Sequence, residues 1–231
     1  MSGEENPFLK SFQNAEAVAA YHSGPTQFTP GLEALHRMVA ILLEEVVPAD
    51  ARILVLGAGG GLELKALADR QPGWSFEGVD PAGPMLKLAL ETLGEHANRV
   101  QLIEGYIDDA TAGPFDGAVC LLTLHFLAPD ERQRTEEAVR NRLKPGAPFV
   151  VAHACLPRET KRRESWLDRY AAFARSSGAP AEKVEMARAA VSAADVMLPP
   201  EEDIDILRQA GFSRVEQFYA AFTWHGWVGY A

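Results

Sequence analysis

Short apolar runs alternate with amphipathic stretches through the middle of the chain. Each run has the length of a strand and closes near glycine, proline or an acid, and the stretch after it spaces its apolar residues as a helix does. Continuous apolar strands that alternate with helices are typical of a parallel sheet covered on both faces. The pattern therefore predicts an α/β open sheet whose core strands lie within the runs 51–61, 74–80, 99–105, 115–123 and 147–154.

Capping residues predict where two of the connecting helices end. Residues 82–94 have apolar positions at helical intervals and finish at Gly94, which suits a helix C-cap. Residues 129–146 start with Pro129 and finish with Lys-Pro-Gly, a sequence that stops helices. We therefore expect the second helix to continue as far as that stop.

Two helical regions lie outside this alternation, one before the first strand and one after the fifth. The chain then closes with a helix at 200–210 and apolar runs at 213–220 and 222–230, whose short connection predicts an antiparallel hairpin. We expect one domain over 1–231, made of an N-terminal helical lid (1–48), a cofactor-binding core (49–156), a helical insertion (157–198) and a C-terminal helix with a β-hairpin (199–231).

Composition narrows the class of protein. A length of 231 residues with 47% hydrophobic and 23% charged residues is typical of a globular chain. The net charge of −10 argues against broad nucleic-acid binding, because such binding depends on phosphate contacts from basic residues. Cys120 and Cys155 lie in apolar runs, where buried reduced thiols are expected. The first residues form no signal peptide, and no apolar run has membrane-spanning length, so we expect a cytoplasmic protein.

A glycine-rich loop carries the strongest chemical signal. Gly57 to Gly61 follow the first predicted strand and precede a helix, where glycines let the backbone turn sharply and a ligand approach closely. Asp80 ends the second predicted strand, and a carboxylate there can accept hydrogen bonds from both hydroxyls of a ribose. Together the loop and the acid predict a nucleoside cofactor at the carboxyl edge of the sheet.

Glycine spacing favours one cofactor over another. The dinucleotide fingerprint G-x-G-x-x-G needs a small residue at position 62, where this chain has Leu62. The pattern is instead G-x-G-x-G, with Gly57, Gly59 and Gly61, and its early third glycine leaves room for an amino-acid tail. We therefore expect S-adenosyl-L-methionine as the cofactor, with an NAD(P) oxidoreductase as a minor alternative.

On ILVLGAGGG, FEGVDPAGPML, VQLIEGYIDD, FDGAVCLLTLHFL and LKPGAPFVV, the chain resembles the class I S-adenosylmethionine-dependent methyltransferases. The resemblance implies a Rossmann-like, mostly parallel seven-stranded sheet in the order 3-2-1-4-5-7-6, with an antiparallel last strand, helices on both faces and a helical lid. The positions that match the family's cofactor contacts are Gly57, Ala58, Gly59, Gly61, Glu63, Asp80, Pro81, Met85, Tyr106, Ile107, Leu122 and Thr123.

Two positions depart from the family pattern. Val55 stands where the family usually has an acid before the first glycine, so Glu63 or backbone carbonyls are expected to hold the cofactor's amino group. Tyr106 stands where an acid often contacts adenine, with Asp108 and Asp109 close behind. These departures leave open a third class of function, a cofactor-binding module without turnover.

A finer resemblance connects TLHFLAPDERQ, VML and QAGF with the carboxy-S-adenosyl-methionine synthases and their tRNA wobble-uridine-related group. In the synthase, an arginine in the helix before AGF grips the cofactor's extra carboxylate. Ile206 stands at that position, and Arg208, two residues on, points elsewhere on a helix. We therefore favour methyl transfer to a small-molecule acceptor, with carboxy-S-adenosyl-methionine synthase or a tRNA-modification enzyme as alternatives.

Candidate catalytic residues follow from the needs of methyl transfer. In-line transfer depends mainly on positioning, and a general base is required only if the acceptor loses its proton early. His125, just past the fourth strand, is the candidate base, with a packed histidine as the alternative. Tyr21 is expected to close over the cofactor from the lid, where His36 and Arg37 are as readily solvated helix residues.

Other features predict little chemistry. No pair of His or Cys residues has the spacing of metal ligands, so we expect no metal. The basic residues of 158–175 are expected to form a solvated helix surface, although they leave tRNA as an unlikely partner. The stripe of Trp166, Tyr170 and Phe173 is more typical of a core than of a pocket, and the extra helices would suit a homodimer.

Overall fold

A seven-stranded sheet organises the computed structural model, which describes Phe12, Val18 and residues 24–231. The strand order is β3-β2-β1-β4-β5-β7-β6. The first five strands pair in parallel, and β7 is antiparallel to both β5 and β6. The predicted Rossmann-like fold is confirmed, with strands β1 (Arg52–Leu56), β2 (Ser75–Asp80), β3 (Val100–Glu104), β4 (Gly117–Leu121), β5 (Pro148–Ala154), β6 (Ser213–Ala221) and β7 (Trp224–Tyr230).

Helices cover both faces of the sheet, which explains why every residue of β4 and β5 is buried. One apolar cluster joins the sheet to α2, α3, α4 and α6, and the other joins it to α5 and α8. Numbered from Gly24, the helices are α1 (Gly24–Phe28), α2 (Leu32–Glu44), α3 (Leu62–Arg70), α4 (Gly83–Leu93), α5 (Pro129–Arg140), α6 (Thr160–Ser176), α7 (Ala181–Ala193) and α8 (Pro200–Gln209).

The helix predicted over 129–146 ends earlier, at Arg140. The residues after it pair instead with the segment that leads into β4. The Phe115 N–H donates to the carbonyl of Arg142 at 2.8 Å, and the Lys144 N–H donates to the carbonyl of Phe115 at 2.9 Å. Strand-like pairing therefore replaces the last predicted turns of this helix.

The N-terminal helices are fastened to the insertion and to the C-terminal hairpin. The ring of Phe28 at the end of α1 lies 5.5 Å from that of Tyr170 in α6, between centroids. The indole N–H of Trp224 donates to the carbonyl of Phe28 at 2.8 Å, and the Tyr219 hydroxyl donates to that of Pro30 at 2.5 Å. Tyr170 is therefore a core residue, as predicted for the aromatic stripe of this helix.

Two sequence features have simple structural outcomes. Cys120 and Cys155 are both buried and free. In the part of the chain that the structure describes, no helix combines the length and the apolar character needed to cross a membrane.

Candidate active site

A cavity of about 1180 Å³ opens at the carboxyl ends of the parallel strands. Its walls come from the loops after β1 to β4, from α2 and from the start of α5. Ligand pockets commonly measure about 300–1,000 Å³, so the cavity has room for a nucleoside cofactor and a second small molecule. This is the edge at which parallel α/β sheets bind ligands.

The glycine loop passes very close to the end of β4. Gly57 has φ +74°, a conformation that side chains disfavour, and a Cβ there would lie 2.1 Å from Oγ1 of Thr123. Gly61 has φ +80° at the start of α3, and a Cβ there would lie 3.0 Å from the Cα of Ala89 in α4. Only glycine fits both positions, so packing as well as ligand approach explains the loop's composition.

Asp80 holds this loop while it faces the cavity. Its Oδ2 accepts the Gly59 N–H at 2.9 Å, and its Oδ1 accepts the Ala82 N–H at 2.8 Å. Burial raises the pKa of Asp80, and these two hydrogen bonds partly oppose the rise. Each carboxylate oxygen can accept a further hydrogen bond, so the group still fits two ribose hydroxyls.

Glu63 is a buried carboxyl group in the cavity wall. It lies in the first turn of α3, just after the glycine loop, and burial together with the charge of Asp80 raises its pKa to about 8. Val55, by contrast, is buried in the apolar core and does not line the cavity. Glu63 can therefore bind a cationic group from the cavity wall. In the family pattern, that role belongs to an acid at the position of Val55.

The loop after β3 supplies a polar group and an apolar wall. Tyr106 and Ile107 line the cavity, and Tyr106 is 57% exposed. Asp109 accepts the Tyr106 N–H at 2.8 Å and so stabilises the turn. Asp108 lines the cavity as well.

Most predicted cofactor contacts meet in this cavity. Ala58 and Gly61 do not line it, because Ala58 is buried in the core and Gly61 packs on α4. Tyr21 lies outside the described residues. The predicted residues that line the cavity are Gly57, Gly59, Glu63, Asp80, Pro81, Met85, Tyr106, Ile107, Leu122 and Thr123.

His125 does not face the cavity. Its ring packs 4.1 Å from that of Phe126 and 5.6 Å from that of Trp224, while Leu124 and Phe126 on either side line the cavity. Burial lowers the pKa of His125 well below its ordinary value, so the imidazole stays neutral. The placement does not fit a general base at the cavity, and it matches the alternative of a packed histidine.

Sequence reasoning gave no role to several parts of the wall. Leu32 and His36 reach the cavity from α2, although His36 was expected to be as readily a solvated residue. Phe126 reaches it from the turn after β4. No local pattern marks these positions, because they become neighbours of the cofactor loops only when α2 docks on the sheet.

A buried polar cluster lies behind the turn after β4. The Cys155 Sγ donates to Oδ2 of Asp203 at 3.1 Å, and Nε2 of His153 lies 3.1 Å from the same oxygen. The guanidinium of Arg132 binds the other oxygen of Asp203 and donates to the carbonyl of Leu124 at 3.1 Å. The cluster therefore ties the cavity-lining turn to α8.

Donor atoms of this cluster would also suit a metal ion, which the sequence did not predict. In the described part of the chain, His153, Cys155 and Asp203 place one donor atom each within 4.8 Å of the others. However, Arg132 already neutralises Asp203, and burial raises the pKa of Cys155 well above its ordinary value, so its thiol stays protonated. The arrangement is that of a hydrogen-bonded ion pair.

Known protein sequences resemble this chain. A family model described as a methyltransferase domain matches residues 54–149. A carboxy-S-adenosyl-L-methionine synthase of Chromohalobacter salexigens is 30% identical over 224 residues, which cover 94% of this chain and 79% of that protein. A carboxy-S-adenosyl-L-methionine synthase of Campylobacter lari is 23% identical over 223 residues, which cover 95% and 93% of the two chains.

Solved structures share the fold at low identity. The structure of PigF with SAH has a TM-score of 0.69 and 19% identity, covering 96% of this chain and 61% of that one. Human N-acetylserotonin methyltransferase in complex with SAM has a TM-score of 0.66 and 15% identity, and the match covers 100% of this chain and 60% of that one. This chain therefore spans about three fifths of the length of those two proteins.

Proposed function

Because the chain belongs to the class I S-adenosylmethionine-dependent methyltransferases, we propose that it transfers an unmodified methyl group to a small-molecule acceptor. The protein is an enzyme of this class, and S-adenosyl-L-methionine is its cofactor. The observation that carries the proposal is the charge of the cavity wall. Carboxylates line its part near the glycine loop, and within the described residues Arg134 is the only arginine or lysine of the wall.

The residues of the cavity fit the cofactor group by group. We expect Asp80 to accept hydrogen bonds from the ribose hydroxyls, and Asp108 with Ile107 to contact the adenine, because all three line the cavity. We expect Glu63, next to the glycine loop, to bind the amino group of the methionine tail. When bound, the cofactor supplies a methyl group on a sulfonium, which is a good leaving group. The protein's main task is then to hold the acceptor in line with the methyl group.

Carboxy transfer is the second candidate, because the relative that is 30% identical is named a carboxy-S-adenosyl-L-methionine synthase. An additional carboxylate in the cavity would need a cationic partner. Ile206 is buried, and Arg208 lies on the exposed face of α8, 3.3 Å from Asp205. Neither Ile206 nor Arg208 lines the cavity. Arg134 does line it, but its exposed side chain pairs with Asp130 at 3.2 Å. These contacts favour S-adenosylmethionine over its carboxylated form as the cofactor.

The basic residues of the insertion support a small-molecule acceptor better than tRNA. The side chains of Arg158 and Arg175 pair with Glu202 and Glu185. Arg163 donates to the carbonyl of Ala194 at 3.1 Å. These cations are engaged within the protein, so fewer of them remain for phosphates. We retain the single-domain layout over 1–231 as part of the proposal.

Mass spectrometry, calorimetry and an acceptor screen together separate the candidates. Mass spectrometry of small molecules released from the purified protein is expected to find S-adenosylmethionine or S-adenosylhomocysteine without a carboxylated form. Calorimetry is expected to show binding of S-adenosylhomocysteine. A carboxylated cofactor in the released fraction would establish the synthase instead. Tight cofactor binding with no methyl transfer to any member of a broad acceptor screen would establish a module without turnover.

A further inference from the structure

We propose that His36 accepts the proton of the methyl acceptor, and that the acceptor is a neutral molecule with a phenol-like hydroxyl on an apolar body. This inference rests on the proposed methyl transfer and names the substrate class and a further catalytic residue of that same site. His36 reaches the cavity from α2, one helical turn after Leu32, which lines the cavity as well.

His36 connects the cavity with the protein surface. Besides the cavity, it lines a shallow hollow of about 320 Å³ between α2 and α3. Glu33, Arg37, Asp69 and Arg70 supply the charged groups of that hollow. An imidazole has two ring nitrogens, so it can take a proton on one side and release it on the other. The position of His36 gives the proton a route from the cavity to solvent.

The imidazole of His36 is free to accept that proton. It has no hydrogen-bond or ion-pair partner among the described residues. Burial lowers its pKa to about 4, so the ring is neutral and keeps a lone pair at neutral pH, although the same shift makes it a weaker base than an ordinary imidazole. The other described histidines are engaged elsewhere: His96 with Asp69, His153 with Asp203, His225 with Gln217, and His125 within the core.

The wall around His36 indicates the class of acceptor. Pro25 and Leu32, from α1 and α2, and Phe126, from the turn after β4, are apolar, which suits a ring or another apolar body. The charged wall residues outside the cofactor set, Asp130, Glu131 and Arg134, lie exposed on α5. Among the described wall residues, an anionic acceptor would therefore find no buried cation, whereas a hydroxyl would find a neutral proton acceptor.

A phenol needs such a group more than an amine does. A neutral amine already carries a nucleophilic lone pair, but the oxygen of a phenol becomes strongly nucleophilic only as its proton leaves. In the proposed step an oxygen lone pair forms the O–C bond to the methyl group. The C–S bond breaks and its electron pair stays on sulfur as a thioether, while the O–H proton passes to a ring nitrogen of His36. The proton then leaves through the hollow.

The test uses the full chain with S-adenosylmethionine and three phenols of increasing acidity: phenol, 4-chlorophenol and 4-nitrophenol. Benzoate and benzylamine serve as anionic and cationic comparators, and mass spectrometry measures the methylated products. We expect the phenols to be methylated in preference to both comparators. His36→Gln is expected to lower kcat by about 10²–10⁴-fold for phenol and by less for 4-nitrophenol, whose proton leaves more easily.

Two controls separate a catalytic role from a structural one. His36→Gln should bind S-adenosylhomocysteine with unchanged affinity by calorimetry, and His96→Gln, at a partly buried histidine that pairs with Asp69 and does not line the cavity, should keep full activity. In NMR spectra of the wild type with labelled histidine, 4-nitrophenol added to the S-adenosylhomocysteine complex should shift the ring signal that His36→Gln removes.

The outcomes distinguish this inference from the proposed function. If the wild type does not bind S-adenosylhomocysteine, the proposed function fails. If it binds but methylates none of the phenols, or methylates benzoate or benzylamine better, the assigned acceptor class is overturned while the methyltransferase remains. A loss in His36→Gln that is equal for the three phenols would overturn the role of His36 in proton transfer.

Discussion

The carboxylate of Asp80 accepts the backbone N–H of Gly59 at 2.9 Å, and this hydrogen bond joins the acid at the end of β2 to the glycine loop after β1. We propose the same carboxylate as the partner of the ribose, so one side chain would set both the position of the loop and the cofactor's polar contact. We therefore expect the loop and the acid to act as one binding unit.

Replacement of this acid should weaken cofactor binding strongly. Asp80→Ala removes hydrogen bonds to a charged acceptor, each worth about 1.5–3 kcal/mol, and releases the Gly59 N–H. We expect the dissociation constant of S-adenosylhomocysteine to rise about 10- to 100-fold in calorimetry. Asp50→Ala, at an exposed turn, is the control and should bind normally. Equal affinity in the two variants would contradict the assigned role of Asp80.

A methyl group on the loop should destabilise the protein. In Gly57→Ala the new Cβ would collide with Thr123, and the backbone would keep φ +74°. Gly146 has φ +76°, and a Cβ added there would have no atom within 4 Å, so Gly146→Ala measures the backbone cost alone. Urea unfolding should show a loss of about 1–3 kcal/mol more for Gly57→Ala than for Gly146→Ala. Similar losses would show that the close approach to β4 has no energetic role.

Glu63 should make stability depend on pH. Its pKa is raised from 4.5 to about 8 in the folded protein, so the folded state binds the extra proton between these values. The stabilisation from the bound proton is complete below about pH 4.5 and is lost as the pH rises through about 8. Glu63→Gln should therefore gain stability relative to the wild type from pH 5 to pH 8, measured by urea unfolding. A constant difference would show that Glu63 has its ordinary pKa.

Cofactor binding should remove the extra proton from the Glu63 carboxyl group. If Glu63 holds the ammonium of the methionine tail, binding of S-adenosylhomocysteine at pH 7 should release close to one proton. Calorimetry in phosphate and Tris buffers, whose ionisation enthalpies differ, measures that number. Glu63→Gln should release fewer protons than the wild type. Identical proton release in the two proteins would exclude Glu63 as the partner of the amino group.

The buried pair of Arg132 and Asp203 should be sensitive to the loss of one charge. Asp203→Asn would leave Arg132 buried without its counter-ion, and such losses typically cost about 3–5 kcal/mol. Asp205→Asn, two residues along the same helix but exposed, should change stability by less than about 0.5 kcal/mol. Thermal and urea unfolding compare the two. Equal stability would mean that the cluster does not hold the turn after β4.

Acid should weaken this pair as well. Burial raises the pKa of Asp203, but His153 and Arg132 more than offset that effect, so its pKa lies below the ordinary 3.8. The stabilisation is therefore present above the ordinary value and is lost only as the pH falls through the lowered one. In Asp203→Asn this part of the acid sensitivity should disappear.

Local sequence signals were sufficient to predict residues that meet in the cavity. Gly57 and Asp80 could be predicted because a turn needs glycine and a strand end presents its acid at a known edge of the sheet. The order of the last strands followed from the resemblance to a family rather than from periodicity. Helix ends were less predictable, because pairing of Lys144 with Phe115 ended α5 at Arg140.

Other parts of the site depend on how distant elements pack, which local sequence patterns do not show. His125 follows β4 in the sequence, as expected of a catalytic residue, yet the turn Leu124–Phe126 directs its ring into the core. Asp203 meets Arg132 only when α8 packs on α5, and α2 brings His36 to the cavity. Contacts between residues so far apart in sequence have no local pattern, and a single sequence does not reveal them.

The hydrogen bond from Trp224 to the carbonyl of Phe28 joins residues 196 positions apart, and it sets an order of assembly. The ribosome makes α1 and α2 before the sheet, whereas β7, on which α1 docks, is made after strands β1 to β6. Strands β1 to β5 and the glycine loop are complete long before that moment. During synthesis the cofactor's half of the cavity can therefore form before β7 is made, whereas the hydrogen bond that fastens α1 must wait for that strand.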